Sequence, residues 1–350
     1  MVSPVKIAGR VIGPGERCFI IAEAGVNHNG NIEMAHGLID VAVEAGADAV
    51  KFQTFRASQV ISPRAPKAAY QMRTTRADES QLEMVRKLEL PFVVFRELSE
   101  RCREHGIIFL STPFDEESVD FLAGLDVPAI KVPSGELTNL PLLRRIGQKG
   151  TPLILSTGMS YLEEVERAVR TVREEGCADL VLLHCTSSYP ADPGECNLRA
   201  METLRTTFAV PVGYSDHTPG IEIACAAVAL GACVIEKHFT LDRSLPGPDH
   251  GASLDPAQLR DLVRAIRSVE TAIGDGIKRP MPGELEVRSV ARRSLVAARN
   301  LAAGDVLTPH DVAARRPGTG ISPIELERVV GRRTTVAIQA EELLHWDQLA

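Results

Sequence analysis

Eight short apolar runs recur along the chain, and each ends in a cluster of polar side chains. In order the ends are Glu23 to Asn27, Lys51 to Thr54, Ser111 to Thr112, Lys131 to Glu136, Ser156 to Gly158, His184 to Tyr189, Ser215 to His217, and Glu236 to His238. Most of the intervals carry apolar residues at helical spacing, as in IEMAHGLIDVAVEAGA, with its glycine stop at Gly46, and YLEEVERAVRTVREEG. Strands alternating with helices predict a parallel sheet. Eight repeats favour closure into a (β/α)8 TIM barrel over an open sheet. Such a barrel keeps packed apolar residues below and places its chemistry at the carboxyl ends of its strands. The pattern therefore speaks to function as well as to fold.

Two stretches depart from the repeat. The second interval holds RASQVISPRAPKAAYQMRTTRADES, a long segment with little periodicity. Long loops in compact domains are often lids. Arg56, Arg64, Lys67, Arg73 and Arg76 either attract an anion or form a solvated basic loop, and the sequence leaves both open. After the eighth run, DPAQLRDLVRAIRSVETAIG reads as a helix, capped by Asp255, with Pro256 in its first turn and Gly274 as its stop. Leu259, Leu262, Val263, Ile266 and Val269 give it one apolar face. The catalytic barrel is thus expected over residues 1–277, with a linker over 278–291. From residue 292 to 350 short runs separated by turns read as a small second domain. Its core is too small for much stability of its own, so docking on another surface is expected.

The net charge of −7 argues against nucleic acid as a partner, since phosphate backbones select basic surfaces, but a small anion needs only a few local cations. Seven cysteines, none in a CxxC pair, together with the lack of a signal-like start, predict free thiols in a reducing cytoplasm. No uncharged apolar run reaches membrane-spanning length. Cys185, near a strand end, is read as a small buried side chain, because its motif fixes no base beside it.

His217 and His238 follow the seventh and eighth strands, which are neighbours in a ring, so both reach the same rim. Two imidazoles with open positions suit a catalytic divalent ion, or else form a hydrogen-bonded structural pair, and their polar neighbours favour the ion. Glu236 and His238 are two apart in a strand and share a face, as do Ser215 and His217. Lys51 and Lys131 supply charge, and Thr112, Ser134, Ser156, Ser187 and Ser215 supply hydroxyls, which together suit a phosphate or carboxylate. Either lysine could instead form a Schiff base, or pair with Glu236 or Glu136 in a structural ion pair. Glu23, Glu136 and Asp249 are the acidic candidates, able to act as a base, hold sugar hydroxyls or activate water, or else to cap turns.

Together the runs IAEAGVNHNG, DAVKFQTF, TPFDEESVDFL, IKVPSGELTNLPLL, LILSTGM, HCTSSYP, GYSDHT, EKHFTLD and GPDHGASLDP resemble the sialic acid synthase family, and RRPGTGIS resembles that family's antifreeze-like (SAF) domain. The resemblance implies condensation of phosphoenolpyruvate with an N-acylated mannosamine-type sugar, N-acetylmannosamine first, to give a nine-carbon sialic acid and phosphate. It also implies a divalent metal, Mn2+ or Mg2+, and a domain-swapped homodimer. By the resemblance His217 and His238 hold the metal, and Lys51, Thr112, Lys131, Ser134, Ser156 and Ser215 bind phosphoenolpyruvate. Ser187 stands where relatives carry asparagine, a departure from the pattern at a phosphate contact. Glu23, Tyr189 and Asp249 would hold the sugar, Glu136 would activate water, and Arg316 would reach across the dimer to the sugar's acyl group. A legionaminic-acid-type synthase acting on 2,4-diacetamido-2,4,6-trideoxymannose is the nearest alternative. A sugar-binding protein without catalysis is a further one.

Overall fold

The computed structural model describes residues 2–68, 71, 72, 75 and 78–350. They form two compact units, one up to Gly274 and one from Asp275 onward.

The first unit is a closed parallel barrel. Its strands are β1 (Phe19–Gly25), β2 (Ala49–Thr54), β3 (Ile108–Pro113), β4 (Ile130–Val132), β5 (Leu153–Ser156), β6 (Leu180–Cys185), β7 (Val212–Asp216) and β8 (Val234–His238). The ring closes where β8 pairs with β1, with Val234 opposite Phe19 and His238 opposite Glu23. The (β/α)8 expectation is borne out.

Side chains alternate across each strand, and the two faces build two different cores. Ile20 and Ala22 of β1, Val50 and Phe52 of β2, Leu153 and Leu155 of β5, and Leu180 and Leu182 of β6 face outward and pack with the helices. Phe19 and Ile21, Leu110, Ile154, Val181, Leu183 and Val234 face inward and fill the barrel. Every strand is covered on both sides, which is why each reads as a nearly continuous apolar run.

The helices end where the sequence says they should. In α1 (Ile32–Ala45) the Asn31 side chain accepts from the Met34 amide, and Gly46, at φ 76°, closes the last turn in the left-handed conformation that glycine tolerates best. The helix that closes the ring, Pro256–Ile273, opens on a capping box between Asp255 and Gln258 and buries Leu259, Leu262, Val263 and Ile266.

One element was not foreseen. Val5–Ile7 and Arg10–Ile12 form an antiparallel hairpin ahead of the barrel. Val5, Ile7 and Ile12 are buried in the same cluster as Phe19, Ile21 and Leu110. The hairpin therefore stoppers the amino end of the barrel. Two strands of three residues are too short to announce themselves by periodicity.

The second unit has its own small core, which includes Leu295, Leu301, Leu307, Ile321, Ile338 and Leu344. Ser294–Ala297 pairs antiparallel with Val312–Arg315. The stretch expected as a linker holds a short helix, Leu285–Ala291, with no buried residue. All seven cysteines are free, and six of them are buried. Among the described residues no helix is long and apolar enough to cross a membrane.

Candidate active site

The inward face of each strand changes character at its carboxyl end. Two residues beyond Ile21 comes Glu23, beyond Ala49 comes Lys51, beyond Leu110 comes Thr112, beyond Ile154 comes Ser156, and beyond Val234 comes Glu236. These residues line one cavity of about 470 Å³, together with Lys131, Ser134, Cys185, Ser187, Tyr189, Ser215, His217, His238 and Asp249. A volume of that order suits a small-molecule site.

A chain of buried ion pairs forms the floor. Lys51 Nζ lies 2.7 Å from Glu23 and 3.6 Å from Glu236, and it donates to Thr112 Oγ1 at 2.9 Å. Lys131 Nζ lies 3.3 Å from the other Glu236 oxygen, which also accepts from Ser215 Oγ at 3.0 Å. Glu23 in turn accepts from Gln53 at 3.2 Å. Both lysines thus sit in buried ion pairs, and Glu236 is the hub. Sequence reading gave Glu236 only as a possible partner. The signal was available, since it shares a strand face with His238.

The electrostatics follow from burial against pairing. Burial favours neutral Glu236, yet Lys131 and Lys51 together hold its carboxyl down at about 2. Burial pushes Glu23 up to about 7, with Lys51 pulling the other way. Burial would lower Lys51, but Glu23 and Glu236 raise it, so the amine stays protonated. Lys131, with a weaker partner, is lowered by burial. Burial also raises Asp249, to about 6.

The imidazoles of His217 and His238 lie 5.4 Å apart, and the Tyr189 ring is 4.4 Å from His217 and 5.8 Å from His238. His217 Nδ1 lies 3.1 Å from the Thr186 carbonyl. A carbonyl only accepts, so Nδ1 carries the proton and Nε2 keeps its lone pair for a ligand. Burial holds His238 well below its usual value, so it is neutral at physiological pH, and its Nδ1 has no hydrogen-bond partner among the described residues. Among the described residues no three His, Cys, Asp or Glu side chains gather as a metal site. The donor set is therefore two imidazoles, and it fits a cation that completes its shell with substrate oxygens and water.

Behind the histidines, Asp216 and Lys237 point outward. Lys237 Nζ donates to Asp216 Oδ2 and to the Thr218 carbonyl, both at 2.6 Å, while Asp216 Oδ1 accepts from the Thr218 amide at 2.9 Å. This buried pair fixes the turn that carries His217. On the opposite side, the Gly158 amide donates to Ser134 Oγ at 2.9 Å. A Cβ at Gly158 would meet Ser187 Oγ at 2.4 Å and Ser134 Oγ at 2.8 Å, so only glycine lets the two serines and the turn come together. Ser156 Oγ is buried with no partner among the described residues, a donor left for a ligand.

The structure bears on three further expectations. Glu136 is not in the cavity lining; it accepts from Asn139 at 2.7 Å, and Asn139 caps the helix Leu140–Gly147. Its carboxylate steadies the capping Asn139 and stays outside the lining. The basic excursion after β2 brings no described cation to the cavity. Arg56 pairs with Glu89 and Glu117 and lies over the Phe92 ring, Lys67 pairs with Glu79, and Arg64 is exposed. Arg73 and Arg76 lie outside the described residues. What the excursion does contribute to the lining is apolar: Val60, Ile61, Met84, Val85 and Leu88. Arg316 belongs to the second unit, is exposed, and donates from Nε to the Ala291 carbonyl at 2.9 Å.

Residues 38–278 match the model of the NeuB family, which is more than half of the chain. The chain belongs to the NeuB family. Residues 292–350 match the SAF domain, as the tail motif implied. Two relatives of this family member are each called N,N'-diacetyllegionaminic acid synthase. That of Legionella pneumophila is 49% identical, over 96% of each chain. That of Campylobacter jejuni is 48% identical, over 94% of this chain and 99% of its own. A crystal structure of N-acetylneuraminic acid (sialic acid) synthetase from Leptospira borgpetersenii, in complex with citrate, superposes with a TM-score of 0.72. It is 34% identical and covers 82% of this chain and 95% of that chain.

Proposed function

We propose that the protein is a synthase of the legionaminic acid type, joining phosphoenolpyruvate to 2,4-diacetamido-2,4,6-trideoxymannose and releasing phosphate. N-acetylmannosamine is the sugar that the motifs alone bring forward. The relatives at 48–49% identity bear the diacetyllegionaminic name, whereas the sialic acid synthetase structure stands at 34%, and that ordering favours the deoxy sugar. The single observation that carries the reading is the Glu23–Lys51–Glu236–Lys131 chain beside His217 and His238 in one cavity.

Phosphoenolpyruvate is a small, highly charged anion, and the floor offers it two ammonium groups with hydroxyls around them. Lys51 and Lys131 face its carboxylate and phosphate, and Thr112, Ser134, Ser156 and Ser215 orient the oxygens. A protonated Lys51 suits anion binding and not Schiff-base attack. A divalent cation, Mn2+ or Mg2+, held by His217 and His238 supplies Lewis-acid polarisation of the open-chain aldehyde. Tyr189, Asp249 and Glu23 hold the sugar's hydroxyls, which sets the aldehyde carbon over the enol carbon. The new C–C bond leaves a cationic centre at C2, which takes water; the C2 hydroxyl then loses its proton as the phosphate departs. Buried Glu236 keeps the two ammonium groups close together throughout, and with Glu136 turned away it leaves Glu23 as the carboxylate nearest the water. Arg316, from the second copy of a domain-swapped homodimer, completes the acyl-group contact.

The test is phosphate release from phosphoenolpyruvate with manganese, comparing the diacetamido deoxy sugar with N-acetylmannosamine. Release that requires the deoxy sugar and stops with chelator is expected. Release only with N-acetylmannosamine would move the assignment to the N-acetylneuraminate type. Sugar binding in a calorimeter without phosphate release would support a non-catalytic binder.

A further inference from the structure

We propose that the apolar wall supplied by the excursion after β2 reads the far end of the sugar, accepting a deoxy, N-acylated chain and turning away a phosphorylated one. The inference rests on the synthase reading above and adds to it the residues that choose the substrate.

The cavity has two unlike halves. Its floor and rear are the charged and hydroxyl groups of the strand ends. The excursion adds Phe55, Val60, Ile61, Met84, Val85 and Leu88 to the apolar part of the lining. This wall is built, not incidental. Phe55 and Leu88 are buried in a cluster of their own with Val26 and Ala57, and Val60 and Val85 pack against it. Met84 is 4% exposed, on the helix Gln81–Arg86, which a Ser80–Glu83 capping box holds in place. Among the described residues, the polar groups that the excursion adds to the lining are the amides of Gln71 and Gln81.

The reacting end of the sugar is fixed at the polar half, because its aldehyde must meet the histidines and the lysine-bound partner. Its other substituents must then face the wall. An aliphatic surface dotted with two neutral amides complements methyl and acetamido groups. A phosphate dianion there would be desolvated with no cation beside it among the described residues. Among the described residues the only lysines or arginines lining the cavity are Lys51 and Lys131, and both serve the floor.

The expected size of the selection is bounded by physics. An apolar pocket gains little by losing one hydroxyl, so a preference of roughly 10- to 200-fold for the deoxy sugar over its hydroxylated counterpart is the range such walls deliver. Rejection of a phosphate should be much stronger, since a charge is buried and unpaired.

The experiment measures kcat/KM for phosphate release with three sugars: the 6-deoxy diacetamido hexose, N-acetylmannosamine, and N-acetylmannosamine 6-phosphate. It uses the full-length wild type, Val85→Thr and Val85→Lys. Val85 is half-buried, so both variants are tolerable in the fold, and a melting curve checks each. Val85→Thr is expected to lower kcat/KM for the deoxy sugar several-fold more than for N-acetylmannosamine, with the KM of phosphoenolpyruvate unchanged. Val85→Lys is expected to raise turnover of the 6-phosphate at least tenfold over wild type. If wild type uses the 6-phosphate as well as the deoxy sugar, or if the variants change all three sugars in parallel, the wall does not select and the proposal is overturned. If wild type releases no phosphate with any of them, the synthase reading itself is overturned and this inference falls with it.

Discussion

Glu236 holds two lysines that would otherwise repel each other inside a closed cavity. Removing its charge leaves two buried ammonium groups without their shared partner, which costs roughly 3–5 kcal/mol. Glu236→Gln is therefore expected to lower stability by about that amount in urea melts and to raise the KM of phosphoenolpyruvate. The pH dependence has a definite sign. The folded-state value of about 2 lies below the ordinary 4.5, so the stabilisation is fully present above pH 4.5 and is lost as pH falls toward 2. Melts between pH 6 and 3 should show wild type losing stability more steeply than Glu236→Gln. Glu23 titrates on the other side. Its carboxyl, raised to about 7 by burial, becomes a full hydrogen-bond acceptor only above that pH. The kcat/KM for the sugar is expected to rise through pH 7, and a profile of Glu23→Gln without that step would confirm the assignment.

The elements differ in how openly the sequence displays them. Barrel strands are legible because both faces are buried, so each gives an apolar run with an abrupt polar end. Helix limits are legible where a side chain makes the cap, as at Asn31 and Asp255. The hairpin at the amino end is not, since its six strand residues mix Lys6 and Arg10 with the apolar ones. Glu136 and Glu236 show why the site was only partly readable. Both follow a strand lysine or precede a strand histidine in the sequence, yet one turns to a capping asparagine and the other to the cavity. That choice is made by the turn at Ser134–Glu136, a single 3-10 turn that pattern alone does not reveal. The basic excursion leaves two readings open for a related reason: Arg56 finds its acidic partners, Glu89 and Glu117, at a distance in sequence. At this scale Ile7→Ala is expected to cost about 2–5 kcal/mol, as for other buried isoleucines, although it is far from the chemistry. Gly158→Ala should keep the fold, because the two serine hydroxyls can rotate away, while raising the KM of phosphoenolpyruvate.

For the whole molecule, the barrel's cores are complete without any ion, and the two histidines sit above them at the rim. Chelation is thus expected to abolish phosphate release while shifting the thermal midpoint little. A large loss of midpoint on chelation would place the cation in the fold and not only in the chemistry. The second unit has a separate core. Arg316→Ala is accordingly expected to raise the KM of the sugar and leave the barrel's melting unchanged.

The stoppered end of the barrel has a kinetic consequence. With Val5, Ile7 and Ile12 filling the barrel's amino end, the cavity is closed on that side. A reactant that lies on the floor must arrive before the one that lies above it, and cannot leave while the upper one remains. On the proposed function, in which phosphoenolpyruvate lies on the lysines, that anion is expected to be the leading substrate. Its tritiated form, bound in advance and chased with unlabelled anion, should be trapped into product as the concentration of sugar rises.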